Sequence, residues 1–340
     1  LSFGALSAFA EPFTQEWIEL AALLAILVGV VRVVIGAIRG GFVAFLMSQP
    51  VLLGFTSGAS ILIVASQLPK GFGVDPEGDT ILERLWWTAS HVGEWDVAAI
   101  AFAFATIILV VGGRRLSGLF PGVLVAVVAA ILVSEFTSYG GAVVGDIPTG
   151  LPPIDLALPW ASTISLIPPA IVIALVGFAE PAAIARQYAT EERQRWDPNR
   201  EFISQGAANL ASGLSGGFPV GGSFSRSSIN KLAGARTRMA GAITGVAVLA
   251  FLPVAFVLGS LPQAVLGGII VAAVAKLIRP DQIVKMYAQS ILQAIIATVT
   301  FVATLALSPR IDVAIVIGIG LGVVIHLWRE ISTHVEADYA

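Results

Sequence analysis

The chain has 340 residues, 56% hydrophobic and 12% charged, with a mean hydropathy of +0.89 and a formal net charge of −3. An ordinary soluble domain carries roughly 25% charged residues, so a soluble fold is excluded, and the slight acidic balance excludes the basic footprint that nucleic acid demands. With no cysteine, disulfides, zinc–thiolate sites and thiol catalysis are excluded as well.

The composition is that of an all-α polytopic membrane protein. Leu1 opens directly into LSFGALSAFA, with no methionine and no charged leader, so no cleavable signal peptide is read and residues are expected to precede it. Leu1–Ala10 is too short to cross a bilayer and reads as the second half of a cut helix. A span needs about 20 mostly apolar residues. In chain order these are Trp17–Ile38, Phe42–Leu68, Val97–Val111, Leu119–Phe136, Ile164–Ala185, Met239–Leu258, Ala264–Leu277, Ile291–Leu307 and Ile311–Trp328. Phe202–Leu214 is weaker and rich in small residues, like helices that pack closely within membranes.

Lys/Arg placement orients these spans. With Trp17–Ile38 running inward, fourteen Lys/Arg between Arg39 and Arg329 fall on one side, against Lys70, Arg84 and Arg310 on the other. The first side, with the C-terminus, is expected to be cytoplasmic. Arg32 and Arg226 lie inside apolar segments. Arg32, about two turns before Arg39, is expected to snorkel to the surface.

For this alternation to close, the chain must leave and return between Arg200 and Lys231. Phe202–Pro219 is expected to cross outward as a helix, with GGFPVGGS near the turn. The return from Ser223 to Lys231 is about 9 residues, or roughly 13 Å as helix, half a membrane. Irregular backbone at that depth survives only where protein or a water-filled cavity satisfies it. A half-helix starting near Ser223 points free N–H groups and a partial positive charge toward the membrane centre. Gly221 and Gly222 permit close approach of a ligand, and Arg226 adds a full charge. Together these make an anion site of the kind discontinuous helices build in secondary transporters. The plainer alternative is a Gly/Pro kink with a snorkelling arginine.

GGFPVGGSFSRSSINKLAGARTRMAGAITG resembles the signature region of the SulP sulfate permeases, the solute carrier 26 family. QPVLLGFTSGASILIVASQL, IPTGLPP, ALVGFAEPAAIARQYA and LPQAVLGGII resemble other parts of the same family, in the same order. The resemblance implies fourteen segments in two inverted repeats of seven, the uracil-transporter-like fold, with half-helices at the third and tenth facing one another across the anion. It places this chain from the tail of segment 3 to segment 14, with a cytoplasmic STAS domain beyond. It implies a core domain of residues 1–38 and 161–258, a gate domain of 42–137 and 261–331, and the start of a linker at 332–340.

By position, Gly222, Ser223, Phe224, Ser225 and Arg226 fall on the family's substrate site. Ser223 and Ser225 would offer donors, Phe224 would line the cavity and Arg226 would supply potential. VGG stands where relatives often carry Thr or Ala, and Glu180-Pro181 where they often have Glu-Ser. Glu180 lies within an apolar span, where a carboxylate is functional by default. It matches the family's acidic residue in segment 8 and is a candidate for binding a coupling proton or sodium ion; a structural salt bridge with Arg226 or a core hydrogen bond is the equal alternative.

Other polar residues read as structural. Thr56 and Ser57 are expected to allow close packing, and Gln205 and Asn209 to hydrogen-bond between helices. His91, His326 and His334 lack metal-ligand spacing, and no cofactor is expected. The function implied is secondary anion transport of sulfate, bicarbonate or a dicarboxylate by alternating access, with proton or sodium symport or anion exchange. A channel or voltage-responsive relative is the alternative, and an enzyme is not expected. The partners implied are a small anion, the lipid bilayer of a bacterial inner membrane and a second copy in a homodimer.

Overall fold

The computed structural model describes residues 1–12, 14–45, 48–78, 80–150, 157–308 and 310–338. Part of the Phe42–Leu68 span and residues 151–153 of IPTGLPP therefore lie outside the described residues. The elements are helices α1 (Ser2–Leu6), α2 (Gln15–Ala37), α3 (Gln49–Phe72), α4 (Ile81–Ser90), α5 (Val97–Leu116), α6 (Gly122–Thr137) and α7 (Thr163–Glu191). They continue as α8 (Pro198–Leu214), α9 (Phe224–Leu232), α10 (Met239–Phe251), α11 (Gln263–Val274), α12 (Pro280–Gln289), α13 (Ile291–Ala306) and α14 (Ile311–Asp338).

Each expected span is met by a helix, several running a turn or more further. The second is shortened at its start, because Gly40–Phe45 forms a 3-10 turn before α3. Pro253, which has no N–H to offer the preceding turn, lies just inside the 3-10 stretch Leu252–Ser260 that extends α10. Helix starts carry their chemical signals: the Thr14 hydroxyl accepts from Trp17 N at 3.3 Å, and the Asp96 carboxylate from Ala98 N at 2.8 Å. Thr80 and Glu83 form a reciprocal capping box on α4. The amphipathic helices α4 and α12 were not among the expected elements.

The chain packs as two units, Leu1–Gly58, Pro152–Ser227 and Arg279–Ala340 forming one and Ala59–Leu151 with Ser228–Ile278 the other. These boundaries differ from those of the core and gate domains that the resemblance implies. In the first unit α2 is central. Trp17, Leu20, Leu23 and Leu24 bury against Leu6 of α1 and Leu166, Ala170 and Ile173 of α7. Helices α2 and α8 run antiparallel with backbones touching. A Cβ built on Gly29 would stand 2.8 Å from Leu210 N and 2.9 Å from Gly206 O; one on Gly213 would stand 2.6 Å from Ala22 O. Only glycine permits that approach, the small-residue packing of membrane helices. Phe178 of α7 stacks on Phe202 of α8, ring centroids 3.5 Å apart, and Gly54 and Gly58 of α3 lie against α13 at Ala297 and Thr304.

In the second unit α5, α6 and α11 share a core of Ala130, Leu261 and Val265, with Phe102 and Val127 packed on it. Gly268 of α11 meets the Ala103 carbonyl of α5, a built Cβ lying 2.8 Å away. A short bridge between Val143 and Pro262 ties the loop after α6 to the start of α11. The Tyr139 hydroxyl donates to Asp96 at 2.8 Å, closing that loop onto the α5 cap. The tyrosine titrates above its ordinary range because burial and this carboxylate both oppose its ionisation. The outer faces of α5, α6 and α10 expose Phe104, Ile108, Leu124, Val128, Leu132 and Val246, as helices facing hydrocarbon do.

Candidate anion site

α8 begins at Asp197, whose carboxylate accepts from the backbone N–H of Asn199 at 2.9 Å and of Arg200 at 3.4 Å. Those bonds hold its titration below the usual carboxylate range. The helix stops at Leu214, short of the expected Pro219. Gly216 then takes φ +72°, a left-handed conformation open to glycine. From there to Ser223 the backbone is irregular, and α8 satisfies it. The Ser212 hydroxyl donates to Phe218 O at 2.7 Å. Asn209, fully buried, accepts from Val220 N at 2.9 Å and donates to Val220 O at 3.0 Å. Asn209 thus serves the return segment rather than a neighbouring helix, while Gln205 donates to Glu201 of its own helix at 3.1 Å.

The expected snorkelling of Arg32 is corrected by the structure. Its side chain is 1% exposed and turns inward. Nε donates to Ala174 O at 3.1 Å, Nη1 to Val220 O at 3.2 Å, and Nη2, at a longer 3.5 Å, to Ile173 O. Sequence position alone suggested the surface; three carbonyls on α7 and the return segment outcompete it. Arg32 is the residue that sequence reasoning missed. Its only signal was a cation deep in an apolar run.

The half-helix is α9, nine residues long, its first intrahelical bond running from Ser227 N to Ser223 O at 3.0 Å. The N–H groups before that bond are those of a free helix start. Gly222 and Ser223 are half-buried at its mouth, and Arg226 is exposed in its first turn. Phe224 and Ser225 belong to that turn; their side chains lie outside the described residues. A cation there opposes the helix dipole by about 0.3–1 kcal/mol, a placement that becomes favourable when an anion sits on the helix end.

α7 supplies the opposing wall. A Cβ built on Gly222 would be 2.9 Å from Pro181 Cγ, and one on Gly221 would be 3.4 Å from Gly177 O. Glu180, on the exposed side of α7, is therefore one residue from the contact with Gly222. Pro181 lacks an N–H, which deprives Gly177 O of its helical donor and leaves an acceptor beside Gly221. A separate cavity of about 480 Å³ between α1, α7 and α14, lined by Ala5, Phe9, Pro168, Val172 and Arg310 among others, holds none of the expected site residues. Among the described residues no group of three His, Asp or Glu is placed to hold a metal ion.

The sequence profile of the Sulfate permease family matches residues 4–300. The chain belongs to the sulfate permease family. It is 33% identical over 269 residues to a probable sulfate transporter of Mycobacterium tuberculosis (strain CDC 1551 / Oshkosh), covering 78% of this chain and 48% of that protein. The chain spans about half the length of the curated relatives it matches. Among solved structures, the murine solute carrier 26 family member A9 anion transporter in its inward-facing state superposes with a TM-score of 0.83 at 22% identity. That match covers 92% of this chain and 53% of that one. The transmembrane domain of a cyanobacterium bicarbonate transporter, BicA, gives 0.80 at 22% identity, covering 93% and 80%. This sulfate permease family member has the fold of those membrane domains, the inverted repeat of seven and seven segments.

Proposed function

We propose that this chain forms the membrane part of a secondary transporter of inorganic or small organic anions, sulfate, bicarbonate or a dicarboxylate, working by alternating access. Family membership supports anion transport. The observation that carries the mechanism is the half-helix α9, preceded by irregular backbone that Asn209 and Arg32 hold in place. Irregular backbone at membrane depth survives where protein or a water-filled cavity satisfies it, and discontinuous helices of transporters place it at their binding sites. Gly222, Ser223, Phe224, Ser225 and Arg226 form the substrate site. N–H groups and hydroxyls grip the anion, and Arg226 draws it in. Residues 1–38 and 161–258 form a moving core, and residues 42–137 and 261–331 a static gate. The C-terminus is cytoplasmic, the membrane is a bacterial inner membrane and the full-length protein is a homodimer.

Glu180 binds the coupling cation, a proton or sodium. The Gly177 carbonyl, left without its helical donor by Pro181, offers a second oxygen in the same stretch of α7. A helix carbonyl released by a proline four residues on can join a carboxylate as an oxygen ligand for a cation. Replacement Glu180→Gln is expected to abolish the pH or sodium dependence of uptake while residual anion uptake survives; unchanged dependence removes the coupling role.

The test of the whole reading is labelled-anion uptake by the full-length protein in proteoliposomes, with sulfate, bicarbonate and fumarate competing, at two pH values and with or without sodium. Saturable uptake with one preferred anion and one ion dependence is the expected result. Currents far beyond carrier rates would instead mark a channel, and no uptake by folded protein would leave a binding site without a transport cycle.

A further inference from the structure

We infer that Arg32 is a positioning residue whose buried charge makes the site prefer divalent over monovalent anions. The inference rests on the reading of the α9 N-terminus as the anion site. Arg32 lies on α2, outside the signature stretch, and its guanidinium is enclosed by protein. Of its five N–H donors, three engage carbonyls of Ile173, Ala174 and Val220. Among the described residues no salt bridge reaches it. A buried cation without a counter-charge is costly, and inside a membrane span such a group marks function by default.

Its location gives that charge an object. The guanidinium fits because Gly177 has no side chain: a Cβ there would stand 2.7 Å from Nη2. The carbonyl of the same Gly177 faces Gly221, a built Cβ there lying 3.4 Å away. One residue of α7 therefore separates the guanidinium from the site backbone. Arg226 is exposed and its field is screened by water and salt. The Arg32 field acts through protein, where screening is weak. Coulomb attraction scales with the ligand's charge, so this fixed charge favours a dianion twice as strongly, in free energy, as a monoanion. A role confined to tying three carbonyls together would affect every anion equally, so the ratio of affinities separates the two roles.

The experiment measures equilibrium binding of radiolabelled sulfate to the full-length protein in nanodiscs, with chloride as competitor at constant low ionic strength. Arg32→Gln keeps amide donors and removes the charge; Arg32→Lys keeps the charge and loses the fork. On Coulomb grounds Arg32→Gln should weaken chloride binding about tenfold and sulfate binding on the order of a hundredfold, so the preference falls roughly tenfold. Arg32→Lys should keep the preference. An unchanged sulfate-to-chloride ratio in folded Arg32→Gln, with Arg226→Gln still weakening both anions, overturns the role of Arg32 and leaves the site reading intact. If Arg32→Gln fails to fold, Arg32→Lys decides: a preserved ratio supports the inference and a lost ratio overturns it. Wild-type protein that binds neither anion overturns both.

Discussion

Replacing Asn209 with leucine is expected to abolish saturable anion uptake while leaving a folded protein. The side chains are similar in volume, so the packing between α2 and α8 survives. What is lost is polar: Val220 N–H loses its acceptor, and Val220 O keeps only Arg32 of its two donors. An unpaired buried backbone group costs about 1–3 kcal/mol, with about 1 kcal/mol more for the weakened carbonyl. The return segment escapes that cost by moving, and α9 begins four residues after Val220. A displacement of about 1 Å at a reacting or binding group is enough to cost on the order of a hundredfold. Uptake into proteoliposomes, read beside a thermal unfolding curve, checks this. Near-normal uptake by Asn209→Leu would show that the segment does not depend on its clamp.

Gly206→Val should go further and prevent folding. A Cβ on Gly206 would meet Gly29 O at 2.8 Å and Val33 N at 2.9 Å, both backbone atoms that no rotamer change can move aside. The helices would have to separate along the interface that organises the first unit, a loss above about 4 kcal/mol against a total stability of roughly 5–15 kcal/mol. Gly245→Ala provides the contrast, since a Cβ there meets nothing within 4 Å, and its effect should stay within about 0.5 kcal/mol. Monodisperse yield in detergent and the unfolding temperature report both. A folded Gly206→Val protein would mean that the two helices need not touch.

The spans were legible because the bilayer imposes length and hydropathy on every crossing. Charge counting then called for an out-and-back excursion between Arg200 and Lys231, the stretch that α8 and α9 occupy. The candidate site from Gly222 to Arg226 was read from glycine, serine and arginine gathered between apolar segments, and there the structure places irregular backbone leading into the first turn of α9. Two kinds of feature escaped. The short helices α4 and α12 have an amphipathic pattern over ten residues each, too brief to stand out beside the long apolar runs. The partners of Arg32 and Asn209 lie 142 and 11 residues away, and nothing in a helix's own sequence says which carbonyls its polar side chain will meet. Arg32 so close to Arg39 looked like a surface residue, and only the packing of α7 against α2 brought it inside.

The glycine seam between α2 and α8 bears on leakage. Where Gly29 meets Gly206 and Gly213 meets Ala22, carbonyl oxygens lie against bare backbone, leaving no gap wide enough for a file of water. A file of water therefore has no route between α2 and α8 at the points where these glycines meet.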